Sequence, residues 1–398
     1  MKKTNLIILV FTLMNFVLAM TAFVFGGILD KVAVSLNVSV ADSGLLNTMY
    51  SYGAAFGVPI TLIVFRKIER TKLLKTMLFV TILTTLALVL TQYFTQLLII
   101  RLVMGISANS YGILAISMVI ALATTENQGR SLAFLIAGNS LALVIGVPLT
   151  RVLSAVFDWR SIFWMLNIIM IFSLAYFAKF LPAGNHESTK LDLKNELNFF
   201  KDGKTLLVMA YSLVMFVGYG AFFTYATPYL LLLFPSLEAT MSIILVLLGL
   251  ASFIGNWLGG HASDRIGYAK SLLIGAVLQT ATLLLIFVFR SVEWLSVVFS
   301  ILWLMSAWFT GLQLNTGIAQ VTQNKSSFMI SVNMSAIQLG GAIGSSAAAA
   351  VITLNGIQNI VLIALASGLG TVMIQWVANT KYPFTPPSVA MEENVLAV

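Results

Sequence analysis

The sequence has 398 residues, of which 59% are hydrophobic and only 9% are charged. Soluble domains carry about 25% charged residues, so this chain could not cover an ordinary water-facing surface. The composition therefore excludes a soluble enzyme, a nucleic-acid-binding protein and a disordered scaffold, and leaves a polytopic membrane protein.

Apolar runs long enough to cross a bilayer as helices recur along the whole chain. With both termini in the cytoplasm, seventeen of the 22 basic residues fall on the inner side, the side that basic loops favour. The net charge of +8 therefore reflects topology, and no nucleic acid is needed to explain it. The first run is interpreted as a retained helix and not as a signal peptide. The predicted spans are 5–27, 43–65, 73–91, 97–123, 131–154, 161–181, 205–232, 239–262, 269–289, 293–319, 327–354 and 356–378.

A duplication divides the chain into two halves. Two separate segments repeat at a common offset of 198 residues, so that Gly57 matches Gly255 and Gly146 matches Gly344. Chance matches in a sequence rich in glycine and leucine are the alternative explanation. The predicted fold is an all-α membrane protein with twelve transmembrane helices in two pseudo-symmetric six-helix halves. Its parts are the first half at 1–181, a cytoplasmic linker at 182–204, the second half at 205–378 and a cytoplasmic tail at 379–398, which receives no assigned role.

The loop between spans eight and nine carries a compact motif that ends Asp264-Arg265-Ile-Gly267. Gly260 at its start lets two helices approach closely, Asp264 suits a helix N-terminus, and Arg265 suits an anionic lipid surface. The motif resembles the Gly-x-x-x-Asp-Arg-x-Gly signature of the major facilitator superfamily, in which this loop acts as a conformational latch. The first-half loop departs from it, because Arg66 stands where the aspartate would be.

Span five contains Gly138, Gly146 and Pro148, followed by 158–160, which reads Asp-Trp-Arg. Small residues allow close packing, and Pro148 frees a backbone carbonyl that lets the helix bend. The stretch resembles the Gly-x-x-x-Gly-Pro signature of antiporters in the superfamily, which implies export; ordinary helix packing would explain the glycines alone. The predicted gating residues are Gly138, Gly146, Pro148, Gly260, Asp264, Arg265 and Gly267.

Further stretches resemble the drug and sugar efflux branch of the superfamily (drug:proton antiporters and arabinose efflux permease-like proteins). Within this branch the purine base and nucleoside efflux members are the most similar. These stretches are 25–29, 67–70, 224–229, 259–270, 303–308 and 333–338. The resemblance implies a secondary-active transporter that exports a small organic solute by alternating access. The alternatives are a broad-specificity multidrug:proton antiporter and a non-transporting membrane sensor on a transporter scaffold.

Arg101 is the only charged residue well embedded in an apolar run, so it is a functional candidate by default. An arginine that extends to the outer headgroups is the alternative interpretation. Proton coupling needs a group that changes protonation, yet the acidic residues fall in loops, tails or span ends. Ala22 occupies the position where efflux relatives often carry an acid. Asp30 and Asp42 are predicted to be solvated on the outer rim.

Uncharged side chains must therefore form the substrate path. Amides and aromatic rings suit a flat, neutral, hydrogen-bonding solute, since rings fix its plane and amides bind its edge. Each residue alone is also explained by a hydrogen bond between helices. The predicted substrate-binding residues are Asn15, Arg101, Asn109, Asn139, Tyr225, Trp303, Trp308, Asn333 and Gln338.

The sequence predicts no enzyme, no catalytic residue, no cofactor and no metal site, since two histidines and no cysteine form neither a metal cluster nor a catalytic triad. The expected partners are a small-molecule substrate, the lipid bilayer and, as a candidate coupling ion, protons. The chain is predicted to be a monomer in the inner (cytoplasmic) cell membrane.

Overall fold

A computed structural model describes residues 2–123, 127–182, 196, 198–322 and 326–382. Most of the predicted linker at 182–204 and of the predicted tail at 379–398 lies outside these residues. The described part of the chain is helical and contains no strand. Its long helices are α1 (Lys2–Leu36), α2 (Val40–Val64), α3 (Arg70–Leu90), α4 (Phe94–Leu122), α5 (Gln128–Val156), α6 (Arg160–Phe180), α7 (Gly203–Phe223), α8 (Met241–Ile266), α9 (Tyr268–Val288), α10 (Glu293–Val321), α11 (Ser327–Asn355) and α12 (Ile360–Lys381).

Eleven of these twelve helices are long and apolar enough to cross a membrane. The exception is α2, which has 25 residues but carries Asp42, Asn47 and Thr48 in its first part. Its polar side chains do not need to face lipid, because α2 packs between α4 and α11. The helix thus reaches across to the other half of the protein, and its polarity is explained by protein contacts.

Each group of six helices packs mainly within itself. In the first half, α1 contacts α5, α2 contacts α4, and α3 contacts α4 and α6. In the second half, α7 contacts α11 and α12, while α10 contacts α8 and α9. The halves meet where α2 packs on α11 and where α5 packs on α8. This arrangement agrees with the predicted fold of two six-helix halves.

The repeat predicted from the sequence recurs in the helix contacts. Gly57 of α2 lies against the side chain of Ile106 in α4, and its counterpart Gly255 of α8 lies against the backbone of Met305 in α10. The two contacting partners are 199 positions apart, one more than the offset between the glycines. Corresponding glycines therefore occupy corresponding helix crossings, which explains why they are glycines in both halves.

The first helix of each half is interrupted at nearly the same repeat position. Helix α1 contains a non-helical residue, Ile28, with φ −132° and ψ 18°. Helix α7 ends at Phe223, and a short helix, Ala226–Leu233, continues the chain after a break. The residue with non-helical dihedrals in this break is Tyr225, with φ −110° and ψ 10°, which lies 197 positions after Ile28, one fewer than the repeat offset. The predicted span 205–232 is thus two helical segments, and the two breaks face each other, since Thr227 Oγ1 donates to the Gly26 carbonyl at 2.7 Å.

Helix α5 contains a π-helical turn at Ala142–Gly146, between the segments Gln128–Leu141 and Val147–Val156. The Val147 N–H bonds to the Ala142 carbonyl, five residues earlier. Pro148 follows at once and has no N–H to continue the regular ladder, so the wider turn accommodates the missing donor. The bend predicted for this span is therefore a π-helical turn.

We predict that Gly105→Ala destabilises the protein, whereas Gly112→Ala on the same helix α4 does not. A methyl group at Gly105 would strike the carbonyl of Tyr50 in α2, while a methyl group at Gly112 meets nothing within 4 Å. Overpacking of this kind costs about 1–3 kcal/mol. The measurement is the thermal unfolding midpoint of detergent-purified protein, and equal midpoints for the two variants would contradict the close crossing of α2 and α4.

Candidate functional site

Arg101 is fully buried inside the first half and is held by backbone groups. Its Nε donates to the Leu46 carbonyl at 3.0 Å, and its Nη1 donates to the Thr21 carbonyl at 2.7 Å. The guanidinium carbon lies 4.8 Å from the ring centre of Phe25 and 4.4 Å from that of Tyr50. Carbonyl dipoles and ring faces are both favourable partners for a cation.

This arrangement links α1, α2 and α4 through one side chain. Nη2 of Arg101 also donates to the Asn47 side chain at 3.3 Å, so all three guanidinium nitrogens have partners. No ion pair involving Arg101 occurs among the described residues. In this conformation the buried cation faces protein groups of its own half, and its charge is not open to a cavity.

The other predicted first-half residues have different surroundings. Nδ2 of Asn15 donates to the Leu135 carbonyl at 2.7 Å, which ties α1 to α5. Asn139 is half-buried on α5. Asn109 lies where the halves meet, since Nε2 of Gln338 on α11 is 3.5 Å from its Oδ1. The structure thus brings Asn109 and Gln338 together across the two halves.

Aromatic rings of α7 and α10 form a continuous stack. The ring of Tyr219 is parallel to that of Phe223 at 4.8 Å and nearly parallel to that of Trp303 at 5.7 Å between centroids. Phe223 in turn meets Phe23 of the first half edge-on at 6.2 Å. The stack therefore reaches the boundary between the halves. Phe223 was not among the predicted binding residues, because a phenylalanine in a span is by default lipid-facing or core.

Several buried polar atoms of the second half have no hydrogen-bond partner among the described residues. They include both side-chain atoms of Asn333, the indole nitrogens of Trp303 and Trp308, and the hydroxyl of Tyr219. We call these four residues, which share buried unpaired polar atoms and belong to the second half, the second-half cluster. The Tyr219 hydroxyl lies near the Trp308 indole but without the geometry of a hydrogen bond. An unpaired buried polar group costs about 1–3 kcal/mol, so groups of this kind point to water or a ligand as partner. Three of the four were predicted as binding residues.

One cavity at the boundary between the halves is small in this conformation. A cavity of about 30 Å³ lies between the breaks of α1 and α7, and its lining includes Gly26, Thr227 and Trp303. This volume holds one or two water molecules. A larger pocket, of about 540 Å³, lies between α3 and α6 beside Lys72 and Lys75 and contains none of the predicted site residues. A solute larger than water fits the cavity between the breaks only when the halves move apart.

Hydrogen bonds across the halves gather at the end of the bundle where α1 ends and α8 begins, which we call the Arg151 end. Tyr225 is fully buried there, and its hydroxyl donates to the Ala41 carbonyl at 3.0 Å. The side chains of Thr48 and Ser345 are 2.7 Å apart. Tyr225, predicted to bind substrate, thus has its hydroxyl engaged in an inter-half contact.

The predicted gating residues of α5 lie at close helix contacts. Gly138 packs against the backbone of Thr12 and Phe16 in α1, and Gly146 packs against Met20. A larger side chain at either position would collide with α1. Pro148 follows the π-helical turn, as described above. These contacts lie within the first half.

The predicted latch residues lie at the end of α8 opposite the Arg151 end. Asp264 and Arg265 are exposed in the last turn of the helix. Gly267 ends the helix with φ 80°, a conformation in the left-handed region that glycine adopts without strain. On the same helix, Gly259 packs directly against the Phe309 backbone of α10.

The sequence analysis missed an ion-pair cluster at the Arg151 end. Arg151 is only 3% exposed, and its two terminal nitrogens each lie 2.6 Å from a carboxylate, of Asp30 in α1 and of Glu238 in the segment before α8. The structure differs here from the prediction that Asp30 is solvated. A signal was present, since Arg151 falls inside the predicted span 131–154, where a charge needs a partner.

The fold and the site together define a membrane-embedded helical transporter. Residues 11–323 match the family model of the Major Facilitator Superfamily, and the chain belongs to this superfamily. Its members are transporters of small molecules and not enzymes.

Curated relatives and solved structures agree with this assignment. The chain is 26% identical over 339 residues to the uncharacterized MFS-type transporter YbcL of Bacillus subtilis, a match that covers 85% of this chain and 86% of the relative. It is 27% identical over 348 residues to a probable sugar efflux transporter of Helicobacter pylori, with the same coverage. The partially occluded inward open conformation of the xylose transporter XylE from E. coli superposes with a TM-score of 0.73 at 13% identity, covering 96% and 98% of the two chains.

A second solved structure has the same fold. A point mutant of the nucleoside transporter NupG superposes with a TM-score of 0.74 at 13% identity, covering 95% of this chain and all of that one.

We predict that Arg101→Lys lowers the thermal unfolding midpoint, because one ammonium group cannot replace three guanidinium contacts made in different directions. Leaving buried carbonyls unpaired costs about 1–3 kcal/mol. The control is Arg130→Lys, since Arg130 is exposed and has a ring contact with Phe134 at 5.8 Å. If both variants unfold at the wild-type temperature, Arg101 does not brace the first half.

Proposed function

We propose that this protein is a secondary-active exporter of a small, neutral, hydrogen-bonding organic solute of nucleoside or sugar type. The observation that carries the proposal is the second-half cluster, in which a buried Asn333 amide and two indole N–H groups have no described partner. Such groups bind hydroxyls and ring nitrogens of a polar solute well, and they gain little from an apolar one.

The charge of the solute follows from the groups that face the boundary between the halves. The groups found there, Asn109, Gln338 and Trp303, are neutral. The buried cation Arg101 is already surrounded by carbonyls and rings. A charged solute would lose its hydration without gaining a counter-ion from these residues, whereas a neutral solute has no such penalty. Tyr219 and Trp303 offer a flat ring surface for stacking.

The names of similar proteins support the same chemical class. Relatives from Helicobacter and Pasteurella are named probable sugar efflux transporters, and the two structures of similar fold are a xylose and a nucleoside transporter. Sugars and nucleosides share neutral, hydroxyl-rich chemistry. The direction of transport rests on the efflux names and on the resemblance of span five to antiporter sequences.

We further propose that the chain is a monomer in the cytoplasmic membrane with both termini inside. Seventeen of the 22 basic residues then lie on the inner side. The Arg151 end becomes the outer end, and the conformation described here is closed to the outside. The six-helix halves would move as units, with α5 and the loop of Asp264 and Arg265 as gating elements.

The proposal is tested in proteoliposomes of purified protein loaded with labelled adenosine, hypoxanthine, arabinose or a cationic dye. We expect release of a neutral hydroxylated solute or base and no release of the dye. Faster release under an imposed pH gradient would identify proton coupling, and release indifferent to the gradient would identify a facilitator. Dye release alone would contradict the proposal and favour a multidrug antiporter. Saturable binding without flux would favour a membrane sensor.

We predict that Asn333→Ala raises the half-saturating solute concentration about ten-fold, as the loss of one or two good hydrogen bonds would do. The matched control is Asn355→Ala, at the exposed end of the same helix α11, which we expect to leave transport unchanged. Initial rates over a concentration series in the same proteoliposomes provide the measurement. If Asn333→Ala matches wild type, this amide does not contact the solute.

A further inference from the structure

The ion-pair cluster at the Arg151 end joins the halves in an unequal way. Asp30 belongs to α1, in the same half as Arg151, and is 25% exposed. Glu238 precedes α8 in the other half and is 55% exposed. Both carboxylates lie 2.6 Å from the guanidinium, which itself is 3% exposed. One buried cation therefore has one partner within its half and one partner across the boundary.

We propose that the Arg151–Glu238 ion pair is a detachable gate that holds this end of the transporter closed. Asp30 is the permanent counter-ion, which keeps Arg151 compensated when the gate opens. The inference rests on the alternating-access motion of the proposed function, in which this end must open once in each cycle.

Burial decides which of the two bonds can break. A buried charge that loses its partners is strongly destabilising, so Arg151 cannot lose both of its carboxylate partners at the same time. Asp30 stays with it because α1 and α5 pack against each other, and Arg151 also donates to the Gly27 carbonyl on α1 at 3.2 Å. Glu238 is already more than half exposed, so its carboxylate becomes fully hydrated at little cost.

The remaining contacts at this end are of a different kind. Tyr225 to Ala41, Thr227 to Gly26 and Thr48 to Ser345 are neutral hydrogen bonds, which water can replace on opening. Lys31 lies within electrostatic range of Arg151 and of both carboxylates, which gives the cluster two cations and two anions. A charge reversal at Glu238 therefore turns attraction to these cations into repulsion without altering any neutral bond.

The test is a distance measurement at the Arg151 end between spin labels on the two halves. The natural sequence has no cysteine, so labels at Val34→Cys and Leu354→Cys are site-specific. Both positions are highly exposed, at 83% and 81%, near the ends of α1 and α11. We expect Glu238→Gln to raise the ratio of long to short distances about five-fold, the scale of a partly exposed ion pair, and Glu238→Lys to raise it further.

The matched control is Asp158→Asn. Asp158 is 53% exposed and lies 3.8 Å from Arg160. The substitution therefore removes an ion pair at the same end of the protein, but one that lies within a single half. We expect it to leave the distances unchanged. Equal distance distributions for Glu238→Lys and Asp158→Asn would overturn the proposal that the Arg151–Glu238 ion pair is a gate.

A second pair of variants tests the permanent role of Asp30. We expect Asp30→Asn to lower the thermal unfolding midpoint, because it removes the one charged partner that Arg151 keeps, while Glu238→Gln leaves the midpoint close to wild type. A lower unfolding midpoint for Glu238→Gln than for Asp30→Asn would overturn the assignment of Asp30 as the permanent counter-ion. These measurements need no solute, so a solute panel that fails to move contradicts the proposed function and not the gate.

Discussion

The cost of an unpaired charge or polar group in an apolar environment shapes this protein more than any other constraint. The bilayer offers no hydrogen bonds, so a buried cation must find its partners within the protein. Arg101 has them in the carbonyls of Leu46 and Thr21 and in two aromatic rings. Arg151 has them in two carboxylates and a carbonyl. The two arginines satisfy the same requirement by different means.

The difference has mechanical consequences. All contacts of Arg101 described above are with α1 and α2, so they tie these two helices to α4 and stabilise one half as a unit. Arg151 divides its contacts between the halves, so part of its stabilisation depends on the conformation of the transporter. A rigid half and a separable boundary are what alternating access about a central site requires. The close glycine crossings, such as Gly57 with Ile106 and Gly255 with Met305, add to the rigidity of each half.

The second-half cluster differs from Arg101 and Arg151, because its buried polar atoms have no hydrogen-bond partner among the described residues. An amide such as Asn333 destabilises an apolar core, because its two polar atoms receive no hydrogen bond from the surrounding described residues. The presence of this amide is understandable if a solute or water completes its hydrogen bonds for part of the cycle. The cavity of about 30 Å³ between the breaks of α1 and α7 has room only for water in this conformation.

Local features of the chain were enough to predict the class of protein, the helices and the family. The length of an apolar run is a local property, so eleven spans could be predicted from composition alone. Helix α2 was also predicted, although its polar residues face other helices. The duplication was visible because corresponding glycines, Gly57 and Gly255, serve the same crossing in each half. Arg101 was found because a lone charge in an apolar run stands out.

Which side chains contact each other depends on how the helices pack, and this could not be predicted. Asp30, Arg151 and Glu238 lie more than 80 positions apart along the chain, and no local pattern joins them, so Asp30 was expected to be solvated. Likewise, the hydroxyl of Tyr225 is engaged by a carbonyl of the other half, while the hydroxyl of Tyr219 is unpaired, although both are tyrosines of one predicted span. Long-range partners are set by the packing of whole helices, and the sequence pattern of one helix does not contain them.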